Sequence, residues 1–228
     1  MSRILESLAN LIFPKLCLAC RAHPPVREEH LCKLCFEHLP FISLSENAQA
    51  ALEGKTHFPQ DIDKYLSLFY YTKESYVAEM IHHIKYDGMY KTARYLGGLL
   101  YDRHIKTVDL SGFILVPVPL HPKKLRKRGY NQAEEIAKGI SIKSGVSIET
   151  KILVRLSDQS SQTKKDQADR SKVLENAFAI NPMYNGDYDK IILIDDVVTT
   201  GATIAACYKA LTQLNIQKLY VATLGTSI

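Results

Sequence analysis

The run Ile191-Ile192-Leu193-Ile194 leads directly into Asp195-Asp196 and then into Val-Val-Thr-Thr-Gly-Ala-Thr at 197–203. Four consecutive branched apolar residues have no polar face. They describe a strand covered on both sides, the kind found in parallel sheets with helices above and below. Two adjacent carboxylates cannot follow such a strand into the core, because an unpaired buried charge is strongly unfavourable. They mark the place where the strand opens into a cleft, and the small, hydroxyl-rich turn after them opens a helix over Gly201 to Leu214.

The same alternation runs through the second half of the chain. Phe113 to Val118 is a short buried strand, Asn131 to Ser144 an amphipathic helix closed by Gly145, and Lys218 to Leu224 a last strand. Upstream, Tyr65 to Tyr71 reads as a strand, Ser75 to Tyr86 as a helix with Ser75 as its cap, and Thr92 to Ile105 as another helix. Strand–helix–strand units of this size predict an α/β fold, a mostly parallel sheet flanked by helices. Ligands on such sheets sit beyond the carboxyl ends of the strands. The chemistry is therefore expected just after Val118 and just after Ile194.

The residues at those two places suit an anionic sugar ligand. Backbone N–H groups at a helix start favour phosphate, and Gly201 and Ala202 let the backbone approach it closely. Thr199, Thr200 and Thr203 add hydroxyls. Asp195 and Asp196 can accept hydrogen bonds from sugar hydroxyls, directly or through the waters of a magnesium ion. After Val118, a Pro-rich turn (Pro119-Leu120-His121-Pro122) leads into residues 123–128, five of which are cationic. That cluster reads as a solvated loop, a pyrophosphate site or a nucleic-acid phosphate site. Residues 155 to 172 are polar with almost nothing apolar, as expected of a lid or a linker. Lys164, Lys165, Arg170 and Lys172 in that stretch can neutralise a leaving group.

A different chemistry occupies the start of the chain. Cys17 and Cys20 form one C-x2-C pair and Cys32 and Cys35 a second, with 11 residues between them. Two such knuckles bring four thiolates to one tetrahedral ion, a closed structural zinc site without an open coordination position. His23, His30 and His38 lie nearby and are not needed for it, while Cys207 falls inside a helix as a core residue. Before the cysteines, Ile4, Leu5, Leu8, Leu11 and Ile12 form a helical stripe ended by Pro14. The expected division is a zinc module over 1–42 and an α/β domain over 43–228.

Composition limits the alternatives. Hydrophobic residues make up 46% of the 228, enough for a packed core, and the net charge of +5 is only weakly suggestive of nucleic acid. No stretch reaches the roughly 18 apolar residues of a membrane-spanning helix, and the first residues lack a cleavage site for export. These features imply a reducing cytoplasm, with at most a peripheral association with the inner face of the membrane.

The segment 191–203 resembles the phosphoribosyl pyrophosphate (PRPP) fingerprint of type I phosphoribosyltransferases. By that resemblance, Asp195 and Asp196 hold the ribose hydroxyls, Thr199 through Thr203 cradle the 5′-phosphate with Val197 beside them, and Leu120, His121, Lys123 and Arg128 border the pyrophosphate with magnesium. Lys164, Lys165 and Arg170 belong to the flap that closes over it. The order of the pieces is more specific. A four-cysteine module precedes Ile-Lys-Tyr-Asp-Gly at 84–88, Val-Pro-Val-Pro-Leu-His at 116–121 and Arg-Gly-Tyr-Asn-Gln-Ala at 128–133. Arg170 to Phe178 and the acidic-pair motif follow. Over nearly the whole length this is similar to the ComF family of competence proteins. The resemblance implies a part in natural transformation, the uptake of single-stranded DNA across the cytoplasmic membrane. The implied ligand is PRPP or a related phosphoribosyl compound, and the implied partners are single-stranded DNA and a helicase-like translocase. A conventional phosphoribosyltransferase of nucleotide synthesis or salvage is the alternative, and a PRPP-sensing regulator a third reading.

Overall fold

The computed structural model describes residues 16–25, 30–43, 57–156 and 176–227. The helical stripe expected over residues 3–12 lies outside them, as does all but the first two residues of the polar stretch expected over 155–172, with Lys164, Lys165 and Arg170.

A four-stranded parallel sheet forms the centre. In chain order its strands are β1 (Lys64–Tyr71), β2 (Phe113–Pro117), β5 (Lys190–Val198) and β6 (Lys218–Ser227), arranged β1-β6-β5-β2 across the sheet. β3 (Leu153–Arg155) and β4 (Phe178–Ile180) make a separate antiparallel pair. Ile191 to Ile194 are fully buried, and β5 pairs on both sides, as a strand without a polar face must.

β5 does not stop at the acidic pair as the sequence suggests. Its ladder with β6 continues through Asp195↔Thr223 and Val197↔Gly225 to Val198↔Thr226. The partner strand is long enough to carry the pairing forward, so both aspartates are held by sheet geometry instead of by a loop.

The helices cover the two faces. α1 (Lys33–His38) follows the second cysteine knuckle. α2 (Tyr76–Tyr86) is capped by Ser75, whose hydroxyl accepts from Ala78 N. α3 (Tyr90–Leu100) runs on into a wider turn over Tyr101–Ile105. α4 (Pro122–Arg128) is short, α5 (Gln132–Ser144) ends at Gly145, and α6 (Ala202–Leu211) follows β5. α3 and α5 touch at glycines: a Cβ on Gly139 would lie 1.9 Å from Arg94 O, and one on Gly97 would lie 2.2 Å from Ile136 O. Only a missing side chain allows that approach.

Both outer strands are covered. Ile42 N donates to Leu68 O and Tyr70 N to Pro40 O along β1, and Leu115 N donates to Ser147 O with Glu149 N returning to Leu115 O along β2. Covering an edge removes a template for unwanted pairing. The cysteine module joins the same packing. Cys17, Leu31, Cys32 and Leu39 belong to one buried cluster with Leu68, Phe69 and Leu100. Arg21, in the left-handed region at φ 53, extends from the first knuckle to His83 of α2, 2.6 Å from Nε2. Among the described residues, no helix is long and apolar enough to cross a membrane.

Candidate functional site

The carboxyl ends of β1, β2 and β5 face one polar cleft of about 270 Å³. β5 brings the acids. Burial first, and the charge of Asp196 second, push the Asp195 carboxyl up to about 7, against the backbone N–H of Asp196 and the charges of Lys85 and Arg155. Asp195 Oδ1 accepts that N–H at 2.8 Å. Asp196 is paired with Lys85 from the end of α2, Nζ to Oδ2 at 3.1 Å.

β2 brings the cations, by way of α4. The sequence left residues 123–128 open as a loop, whereas they form a helix. Pro122 stands at its first turn, His121 Nδ1 accepts from Lys123 N at 3.1 Å, and Gly129 closes it at φ 81. Helical spacing puts Lys124 and Arg128, four residues apart, on the cleft side. Lys123, one position round the helix, is not among the cleft-lining residues, and His121 is 5% exposed and serves as the cap.

Of the other residues expected there, Leu120, Asp195, Asp196, Val197, Thr199 and Thr203 line the cleft. Thr200, Gly201 and Ala202 do not. Gly201 takes φ +84, and a Cβ there would lie 2.8 Å from Phe58 N, so its place is the turn itself. Thr200 Oγ1 accepts from Ala202 N at 3.4 Å.

Several lining residues were not singled out beforehand. Tyr71, the last residue of β1, pairs with Ser227 of β6. The rule that ligands sit beyond strand ends, applied to β1 as well as to β2 and β5, would have found it. Lys85, in the Ile-Lys-Tyr-Asp-Gly run at 84–88, pairs with Asp196, 111 positions away, which no local pattern encodes. Asn131 and Gln132, at the start of α5, and Arg155 of β3 complete the wall.

Oxygen ligands and an adjacent cluster of cations are what a magnesium-bound polyphosphate requires. Asp196 is 13% exposed at its side chain and can reach a hydrated cation once Lys85 moves aside. A bound magnesium ion would supply neutralising charge to the phosphates.

The second site is the cysteine cluster. The sulfurs of Cys17, Cys20, Cys32 and Cys35 all lie within 4.8 Å of one another, with Cys20 and Cys32 3.9 Å apart. A tetrahedron of zinc–sulfur bonds has sulfur–sulfur edges of about 3.8 Å. The cluster therefore fits a metal ion such as zinc. Cys32 Sγ accepts from Cys35 N at 3.4 Å, and the backbone N–H of Ala22, ahead of that of His23, helps hold the Cys20 thiol down to about 6. Both contacts favour thiolates. Two of the nearby histidines are engaged elsewhere, His38 Nδ1 with Leu34 O and His30 against Tyr95.

No protein-family model matches the chain. It is similar to "Competence protein F" of Haemophilus influenzae, 24% identical over 218 residues, covering 90% of this chain and 94% of that protein. It is also similar to "Competence protein ComFC" of Bacillus subtilis, 25% identical, covering 83% of this chain and 75% of the other. "DNA utilization protein YhgH" of Salmonella typhi is 24% identical, covering 86% and 89% respectively.

Proposed function

We propose, from the premise that this chain is a ComF-family protein, that it serves DNA uptake in natural transformation and binds PRPP with magnesium in the cleft at the end of β5. The relatives' names support the competence role. The observation that carries the ligand is the union, in one cleft, of a sheet-held carboxylate pair with Lys124, Arg128 and Arg155. Asp195 and Asp196 take the ribose hydroxyls. The Thr199–Thr203 turn, at the start of the ten-residue α6, takes the 5′-phosphate. Lys164, Lys165 and Arg170, which lie outside the described residues, supply charge to neutralise the leaving pyrophosphate.

The cations of α4 extend past the cleft. Its buried residues are none, and Lys123, Arg126 and Lys127 stand outside the lining. They supply a phosphate-binding surface for single-stranded DNA next to the ligand. The cysteine module, which a bound metal would close, offers its outer surface to nucleic acid or to a protein partner such as a helicase-like translocase. Such a protein works at the inner face of the membrane, and among the described residues no helix is long and apolar enough to cross it.

Calorimetric titration of PRPP with magnesium tests the ligand, beside a variant with Asp195→Asn and Asp196→Asn. Wild-type binding lost by at least about a hundredfold in the variant is expected, the effect of removing two charge-assisted contacts. Wild-type protein that does not bind removes the ligand from the proposal. Transformation frequency of cells carrying the variant then asks whether the site matters for uptake. Release of pyrophosphate with a panel of bases, at about 1 per second or more, would instead make the protein a conventional phosphoribosyltransferase.

A further inference from the structure

Three Lewis bases gather at the end of α2, outside both sites already described. His82, His83 and Asp87 each offer a ligand atom, and these atoms all lie within 4.8 Å of one another. His83 and Asp87 are four residues apart, so the helix sets them on one face, and His83 Nδ1 is bonded to Asp87 Oδ2. His82 is exposed beside them, its ring centroid 5.9 Å from that of His83. A cation already stands against this group. Arg21, from the first cysteine knuckle, places Nη2 2.8 Å from His83 Nδ1, 2.6 Å from His83 Nε2 and 3.8 Å from Asp87 Oδ2.

The guanidinium fits there poorly. A carboxylate only accepts, so His83 Nδ1 carries the proton that it gives to Asp87. A guanidinium only donates, so Nε2 is the one ring nitrogen that can accept from it. The approach of Nη2 to Nδ1 at 2.8 Å therefore sets one donor against another. Arg21 also holds φ 53, a conformation uncommon outside glycine, asparagine and aspartate. Its pair with Asp87 is open to water, with side chains 58% and 46% exposed, and such pairs are weak. Two imidazoles and a carboxylate thus face a positive charge that is loosely held.

We propose that His82, His83 and Asp87 form a second metal site, which takes a divalent transition ion such as zinc or nickel in exchange for the Arg21 guanidinium. Imidazole nitrogen with one carboxylate oxygen suits these ions and not magnesium or calcium, which take oxygen alone. Bonds of about 2.0–2.2 Å set the ligand atoms about 3.3 Å apart, so the group must close by up to about 1.5 Å. His82 and Asp87 are exposed, and side-chain rotation supplies that movement. Three protein ligands leave a position for water, so this ion exchanges, unlike one enclosed by four thiolates. Arg21 N donates to Cys17 O, so the displaced side chain belongs to the cysteine knuckle, and binding at α2 frees the knuckle from the helix.

The test uses the full chain with its cysteine cluster already loaded with zinc, so that the thiolates do not take the added ion. Nickel(II) is titrated by calorimetry, and elemental analysis follows both metals. Expected is one further equivalent of nickel per chain with the zinc retained. His82→Gln and His83→Gln should each weaken it by about tenfold or more. His82 is exposed, so its variant separates a lost ligand from a lost fold. Arg21→Ala should tighten nickel binding by about fivefold, because the competing cation is gone. Zinc-loaded wild type that takes up no nickel overturns the inference. So does uptake that both histidine variants leave unchanged, which would put the ion elsewhere. Nickel binding that Arg21→Ala weakens or leaves unchanged overturns the exchange with Arg21.

Discussion

The cysteine cluster and the acidic cleft are both built from groups that dislike burial, yet they are finished to different degrees. The cluster is complete within 19 residues of sequence, Cys17 to Cys35, and its four sulfurs leave no open position for a ligand. The cleft draws on three strands, four helices and the loop after β2, and it is left incomplete. Gln132 Nε2 has no partner, Asp196 leans on a lysine from another element, and Asp195 is pushed to about 7 by burial and then by the charge of Asp196. A site that holds structure together satisfies its own groups. A site that receives something keeps part of its polar capacity in reserve.

The largest test of that contrast removes the metal site. Cys32→Ser, or a strong chelator, should abolish zinc binding and lower the melting midpoint more than any change in the cleft, since structural zinc binding is worth on the order of 10 kcal/mol. The loss should reach β1, because Cys17, Cys32 and Leu31 share a buried cluster with Leu68 and Phe69. Metal analysis and a thermal melt read it out. Alkylation after chelation should then label four of the five cysteines. Cys207 is fully buried, burial raises its thiol, and it should stay unlabelled until the whole chain unfolds. A melt indifferent to chelator would break the comparison at its first term.

The same contrast explains what could be read from the sequence. The metal site was legible because its ligands lie at fixed local spacings. The parallel sheet was legible because Ile191 to Ile194 have no polar face, and α5 because Asn131 and Gly145 bracket it. The motif at 191–203 located one wall of the cleft. The other wall depends on helical phase: α4 turns Lys124 and Arg128 inward and leaves Lys123 out, a distinction invisible until residues 122–128 are known to be helical. The Lys85–Asp196 pair and the register that carries β5 past its aspartates are tertiary facts, set by where α2 ends and how long β6 runs.

The next test asks whether the cleft trades stability for its charge. Asp195→Asn keeps an oxygen for the Asp196 N–H and removes the charge. The folded protein holds the Asp195 proton up to about 7, above the ordinary value of 3.8 that applies once unfolded. Between those values the folded state binds the extra proton, so stability from this group is full at low pH and lost as pH rises through about 7. The unliganded wild type should therefore lose roughly 2 kcal/mol relative to Asp195→Asn between pH 5 and pH 8. Denaturant melts at the two pH values measure it. Parallel pH curves for the two proteins would mean that the carboxyl ionises without penalty, and the cleft would then be as settled as the cysteine site.

The smallest effect belongs to Lys85. Its ammonium lies 3.1 Å from Asp196, with the side chains 26% and 13% exposed, so the pair is neither a surface bridge nor a fully desolvated one. Lys85→Met should cost about 1–2 kcal/mol, between the values for exposed and buried pairs, because Asp196 is left beside Asp195 without its counter-charge. Adding Asp196→Asn should return most of that loss. A double-mutant cycle separates this coupling from any loss of packing by the lysine stem. If the double variant stays as unstable as Lys85→Met alone, Lys85 acts through its stem and the end of α2, and Asp196 needs no partner in the free protein. If stability returns, Lys85 holds the place of the positive charge that the acidic pair is built to meet.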